Sequence, residues 1–381
     1  MNVLQAIAAA LSPQGILWTL LLLSLITALH ELGHYAAARR QGVAVDGFSV
    51  GMGPVLWRRR AGGTEWRLSL LPIGGYVQID GMTPEEAPDG TFHAPTGGFA
   101  ALPPLGRIAI LLAGPLVNLA LALALMTLTF STQGVAVNNR IHITEVVAGS
   151  LAERLGLQAG DDIVALDGVP IPETVPVTDA GRSSDPQPGY TLLAQKLREA
   201  GRHTLTLERS GESMQREVAF DWQPALNGER QLLGVRYGPG TRPVPVPEAL
   251  GRSLQVTAEA VPLVVNSFAG LVRQMFTLNV RGQPGDAVGG PIRITQTVSD
   301  AARISGWALV QIATLLNLSL AIFNLLPIPG LDGGRIALVL VEVLRRRPLT
   351  FAQEQRLVTA GFMFVMLLMT FVLVRDVTRF F

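Results

Sequence analysis

The chain has 381 residues, 49% hydrophobic and only 15% charged, with a formal net charge of +1 and a mean hydropathy of +0.37. That is too apolar for one ordinary soluble domain, and a charge near zero with no basic run interleaved with aromatics argues against nucleic acid as a partner. Cysteine is absent, which excludes a disulfide framework, a thiolate metal site and a Cys nucleophile, so any metal must be held by histidine and carboxylate.

A transmembrane helix needs about 20 mostly apolar residues, and four stretches qualify: 15–38, 108–130, 307–326 and 357–374. No Lys or Arg precedes the first, so it lacks the charged start of a cleavable signal and reads as a retained span. It ends in ALHELGHYAAARR, residues 28–40. Ionisable groups at membrane depth cost roughly 2.5–3.5 kcal/mol each, so His30, Glu31 and His34 call for a partner. Beyond them the runs VDGFSV, VLWRRR, EWRLSLL and GYVQID, separated by GMGP, AGG and PIGG, alternate with period two and predict short strands in a meander. Residues 81–104 read as a loop.

After the second span, residues 139–242 regain charge, and ITEVV, DDIVALDGV, HTLTLERSG and REVAFDW predict strands around a short helix at 192–199. This is a soluble domain of ordinary size. PVPVP, residues 243–247, follows as a stiff linker. The pattern over 248–275 is helical, but Arg252, Glu259, Asn266 and Arg273, with Pro262 inside, predict a helix lying at the membrane surface. The third span closes in FNLLPIPGLDGGR, residues 323–335, and the fourth completes the chain.

The loop after the first span holds Arg39, Arg40, Arg58, Arg59, Arg60 and Arg67. The positive-inside rule places that loop in the cytoplasm, with the N-terminus and the soluble domain outside. With four spans the third then delivers Arg335, Arg345, Arg346 and Arg347 to the cytoplasmic side, whereas a fifth span over 250–275 would put them outside. The same parity brings Asp332 to the membrane face where His30 and His34 lie.

His-Glu-x-x-His on a helix sets two imidazoles at i and i+4 on one face, within reach of one ion. A catalytic zinc site takes three protein ligands and leaves a position open. Asp332 is the candidate third ligand, and Glu31 the general base toward the attacking water. The competing reading of Asp332 is a turn residue capping a helix that begins near Arg335, which explains the glycines but not the pairing with the first span. His93, His142 and His203 have no ligand spacing.

HELGH in an apolar first span, the GMGP turn, GPLVN in the second span and NLLPIPGLDGG closing the third together closely resemble the site-2 protease family of intramembrane zinc metalloproteases, and within it the bacterial regulator-of-sigma-E protease group. The resemblance implies that His30, His34 and Asp332 bind Zn2+ and that Glu31 is catalytic. It implies that Asn324 holds the substrate backbone, and that the strands around Gly51 and Gly53 form a membrane-associated β-hairpin able to add a strand to an unwound substrate. ITEVVAGSLAERLGLQAGDDIVALDGVPI resembles a circularly permuted PDZ domain, which would stand outside the membrane above the active site and bind a peptide terminus. One such domain is present, where enterobacterial members carry two. Substrates would be single-span membrane proteins already trimmed outside, such as anti-sigma factors or signal-peptide remnants, cleaved at a bacterial inner membrane near its cytoplasmic side.

The expected fold is a polytopic α-helical membrane protein with four transmembrane helices, a membrane-associated β-hairpin or sheet and an inserted extracytoplasmic PDZ-like α+β domain. Its parts are 1–40, the first helix with HExxH; 41–104, the β region and loop; 105–131, the second helix; 139–242, the PDZ-like domain; 248–278, the surface helix; 306–335, the third segment with LDG; and 336–381, the fourth. The rival readings are a non-hydrolytic PDZ scaffold with a structural metal, a metal transporter, and a soluble-type metalloprotease anchored by its neighbours. A structural zinc normally has four protein ligands and a transporter needs ionisable residues along several spans, whereas three ligands and three uncharged spans are found here.

Overall fold

The structure, a computed structural model, describes residues 12–83, 85–86, 92–93, 95–175, 187–193, 201–209, 211–220, 233–279 and 289–378. In chain order the longer elements are α1 (Pro13–Arg40), β1 (Val45–Ala61), β2 (Thr64–Ile79), α2 (Pro104–Thr132), β3 (Val135–Val146), β4 (Asp162–Leu166), β5 (Gly201–Arg209), β6 (Glu212–Phe220), β7 (Val235–Arg242), α3 (Val246–Phe276), α4 (Pro291–Ile304), α5 (Gly306–Leu325), α6 (Asp332–Arg345) and α7 (Phe351–Thr378). They form two compact units, Met1–Thr129 with Leu250–Phe381, and Phe130–Ala249.

In the first unit five of the described helices are long and apolar enough to cross a membrane: α1, α2, α3, α5 and most of α7. Four contain the spans expected from sequence. The fifth is α3, expected at the membrane surface, which is long enough to cross because Pro262 sits inside the helix without ending it. α1 starts where Ser12 Oγ accepts the Gly15 N–H at 3.0 Å with Pro13 behind it, and its last turn carries Arg39 and Arg40, cations at the negative end of the helix dipole.

The third span falls within a residue of its expected bounds, 307–326, as α5. α5 ends at Leu325 because Leu326, which precedes Pro327, is extended (ψ 142°) and no proline can donate to the helical ladder. Gly330 turns the chain at φ +100°. Asp332 is then the first residue of α6 rather than the cap of a helix starting near Arg335. Ahead of α5, the Asp376 carboxylate of α7 accepts N–H groups from Gly290, Ile292 and Arg293 at 3.1, 3.1 and 3.3 Å, fixing the start of α4. Leu271 and Met275 of α3 pack on Phe371 of α7.

The four expected strand runs merge into two long antiparallel strands that bend. Val50 of β1 faces Gly75 on one side and Leu68 on the other, while Trp57 returns to pair with Leu68. The spatial order is therefore 75–79, 45–50, 65–68, 57–61, and segment 75–79 forms one edge. The short elements of 81–104 include a helical turn, Gly98–Ala101, inside the expected loop.

The second unit is an antiparallel sheet in the order β6-β5-β4-β3-β7, with Val169–Pro170 paired to β4. Ile141, Ile143, Ile163, Leu205, Leu207 and Val218 are fully buried in its core. The expected runs fall in β3 to β6, and of the helix expected at 192–199 only the first two residues are described. β7 was not among the expected strands: it contains Gly238, Pro239 and Gly240, which disfavour strand, but it lies at the sheet edge, where proline is tolerated, and its register shifts between Pro239 and Gly240.

Asp161, only 1% exposed, anchors this unit. It pairs with Arg209 Nε and Nη2 at 2.6 and 2.8 Å and accepts the Gln158 N–H at 2.9 Å. Burial alone would push its carboxyl up, but the Arg209 and Gln158 bonds outweigh it and hold the group below the usual carboxylate range. Its contribution is thus present above the unfolded value of about 3.9 and lost as pH falls through the lower folded value. Asp161→Asn is expected to destabilise the unit by about 2 kcal/mol at pH 7. Denaturant unfolding followed by hydrogen exchange in β4 and β5 checks this; the gap from wild type should narrow below about pH 4.

Candidate metal centre

His30 and His34 lie on one face of α1 and are nearly closed to solvent, at 6% and 4% exposure. Their rings meet edge to face with centroids 4.8 Å apart, and their Nε2 atoms are 3.1 Å apart. Asp332 Oδ2, arriving from the first turn of α6, lies 3.1 Å from His30 Nε2 and 3.4 Å from His34 Nε2. The carboxylate sits at the positive end of the α6 dipole, which favours its charged form. Among the described residues this trio is the group of three or more His, Cys, Asp or Glu side chains able to share an ion.

The spacing fits one small cation. Donors bound tetrahedrally at about 2.0–2.1 Å stand roughly 3.3–3.4 Å from each other, close to the three separations here. The outer partners fit as well. His34 Nδ1 donates to the Ile110 carbonyl of α2 at 2.8 Å, which leaves Nε2 as the free lone pair. Three protein donors leave room for a fourth position.

Close approach of α1 and α2 makes the cluster possible. A Cβ on Gly33 would stand 2.5 Å from the Ala113 carbonyl oxygen, and one on Gly114 would collide with His34 Nε2 and His30 Cε1. Small residues at this crossing let the backbones touch. From the other side the sheet is clamped to α1 by Tyr35, Phe48 and Trp66, whose ring centroids lie 4.9–6.0 Å apart. This sets the edge segment beside Glu31, where a Cβ on Gly75 would be 3.8 Å from Glu31 Cγ.

The other expected site residues stand outside the cluster. Asn324 is half-buried in the last turn of α5. Gly51 and Gly53 lie in β1 at φ +82° and +86°, where the register of the bent strands shifts; a Cβ on Gly51 would be 2.6 Å from the Leu71 carbonyl oxygen. GPLVN, residues 114–118, entered the sequence reading as part of the resemblance, with no role given to Gly114 or Asn118. Asn118 is fully buried, with Nδ2 3.3 Å from His30 Nδ1. The available signal was a lone amide in an apolar span, four residues after a glycine and so on the same face.

A helix-borne His-Glu-x-x-His pair, closed by a carboxylate from a distant helix within a bundle of apolar helices, defines a membrane-embedded metallopeptidase. The comparison with known proteins agrees. The model of peptidase family M50 matches residues 18–368. A membrane metalloprotease of Arabidopsis thaliana chloroplasts is 30% identical over 95% of this chain and 78% of its own length. Proteins of Campylobacter jejuni and Clostridium perfringens whose names place them among zinc metalloproteases are 31% and 29% identical, over 95% of this chain in each case and 92% and 98% of theirs. The chain belongs to peptidase family M50, the zinc-dependent site-2 proteases. It is a multi-pass membrane metalloendopeptidase.

Because Gly114 leaves the space the histidines occupy, Gly114→Ala is expected to lower bound zinc at least about tenfold, an effect of the size seen when the surroundings of metal ligands are disturbed. Metal content of the purified membrane protein measures it.

Proposed function

We propose that His30, His34 and Asp332 hold the catalytic zinc and that Glu31 is the general base in hydrolysis of peptide bonds within transmembrane segments of single-span membrane proteins. The observation that carries the assignment is the convergence of the three donor atoms at 3.1–3.4 Å, at the helix that also carries Glu31 next to His30. Zinc, when bound, supplies Lewis acidity that polarises a carbonyl and lets water ionise near neutral pH. Glu31 takes the proton of the attacking water and passes it to the leaving amine. The buried walls of α1 and α2 exclude bulk water from the ligands, which strengthens every charge interaction among them.

A substrate helix hides its peptide groups in its own hydrogen bonds and must be extended before it can be cut. Segment 75–79, a sheet edge beside Glu31, suits that task by pairing with an unwound strand. The bend at Gly51 and Gly53 shapes the sheet that carries this edge, and Asn324 is assigned to holding the substrate backbone. The sheet of Phe130–Ala249 is read as PDZ-like, extracytoplasmic and able to bind a peptide terminus. α3 is read as a surface helix, because counting four spans leaves Arg39, Arg40 and the 335–347 arginines together on the cytoplasmic side of an inner membrane. Substrates trimmed outside the membrane, such as anti-sigma factors or signal-peptide remnants, follow from the family resemblance.

The test uses the purified chain in detergent and a single-span reporter whose fragments are sized by mass spectrometry. Wild type should carry about one zinc and cut within the apolar segment. Glu31→Gln should keep the metal while cleavage falls about 10²–10⁴-fold, and Asp332→Asn should lose both. Cleavage confined to exposed loops would favour the anchored soluble-type protease, and equal cleavage by Glu31→Gln would remove Glu31 from the chemistry.

A further inference from the structure

Asn118 lies one helical turn after Gly114, wholly buried, with its Nδ2 3.3 Å from His30 Nδ1. Its Oδ1 has no hydrogen-bond partner among the described residues. An unpaired amide oxygen in a dry site is expensive, and nothing in the packing of α2 explains it.

Following the protons around the cluster gives it a use. The Ile110 carbonyl can only accept, so His34 carries its proton on Nδ1 and presents a bare Nε2. With the two Nε2 atoms 3.1 Å apart, a metal-free His30 donates from Nε2 to His34 Nε2 or Asp332 Oδ2, and its Nδ1 accepts from Asn118 Nδ2. Both ring protons are then paired, but the two rings offer an ion only one lone pair. Binding an ion requires His30 to carry its proton on Nδ1, which would face the Asn118 NH2 group, donor against donor. Turning the Asn118 amide by half a rotation exchanges its N and O and presents Oδ1 instead.

We propose that Asn118 is the positioning residue for His30: in the metal-loaded protein its Oδ1 accepts from His30 Nδ1–H, fixing the tautomer that exposes Nε2. The proton moves between two nitrogens of one ring, so net charge is unchanged. The inference rests on the zinc reading above.

Chelator competition on the full chain in detergent measures zinc affinity without reference to activity. Asn118→Leu, similar in size but unable to accept, should bind zinc about 10–100-fold more weakly. Asn118→Asp, which offers acceptors only, should stay within about threefold of wild type. Spectra of 15N-histidine-labelled, zinc-loaded wild type, tractable with five histidines, should find His30 protonated on Nδ1. Wild-type affinity in Asn118→Leu, leucine-like weakness in Asn118→Asp, or an unprotonated His30 Nδ1 would each overturn the proposal. If Asn118→Leu fails to fold, the aspartate variant and the spectrum decide. A wild type that binds no zinc would instead sink the metal assignment and this inference with it.

Discussion

Ionisable side chains set at membrane depth must be satisfied locally, and that requirement shapes the helical unit. Two imidazoles and a carboxylate on consecutive turns of α1 cannot be left facing hydrocarbon. They are enclosed on one side by α2, admitted by Gly33 and Gly114. On another side they meet the carboxylate of Asp332, delivered by the break between α5 and α6. The sheet closes the third side around Glu31 through the Tyr35, Phe48 and Trp66 contacts. Each neighbour gives up something that an ordinary apolar helix would keep: side-chain bulk in α2, helical continuity after Leu325, and sheet regularity in β1.

The break after α5 illustrates the trade. A continuous helix through residue 332 would spend its backbone groups internally and leave Asp332 on a helix interior. Pro327 and Pro329 stop α5, Gly330 turns the chain, and Asp332 opens a new helix whose dipole favours its charge. The motif that reads as a turn and the motif that reads as a ligand are therefore the same structure, and the two readings of Asp332 stop competing once the helix boundary is known.

What was legible follows from the range of the interactions involved. His30, Glu31 and His34 were readable because i and i+4 on a helix is a local relation, and Asp332 because burial cost plus membrane parity demanded a distant partner. The four strand runs were readable from alternation, but their order was not, since the bends that place 45–50 between 75–79 and 65–68 depend on register across the sheet. β7 escaped because Pro239 is tolerated only by virtue of its edge position. The start of α4 escaped too: its cap is Asp376, more than 80 positions away. Asn118 was hidden for a different reason. Periodicity places it on a helix face, but only the three-dimensional packing says that the face meets an imidazole.

The two histidines are consequently held by unlike means. His34 is oriented by a backbone carbonyl, which accepts and cannot do otherwise, so the fold itself decides its tautomer. His30 is oriented by a side-chain amide, which can donate or accept according to one rotation. A site with two carbonyl-locked rings would set two bare Nε2 lone pairs against each other at 3.1 Å beside a carboxylate whenever the ion was absent, a repulsive arrangement in a poorly solvated place. One fixed ring and one adjustable ring avoid that conflict without metal and still present both lone pairs with it. On this argument the amide gives His30 a partner both without the ion and with it, and the unpaired oxygen of the metal-free state is the cost of that adjustability.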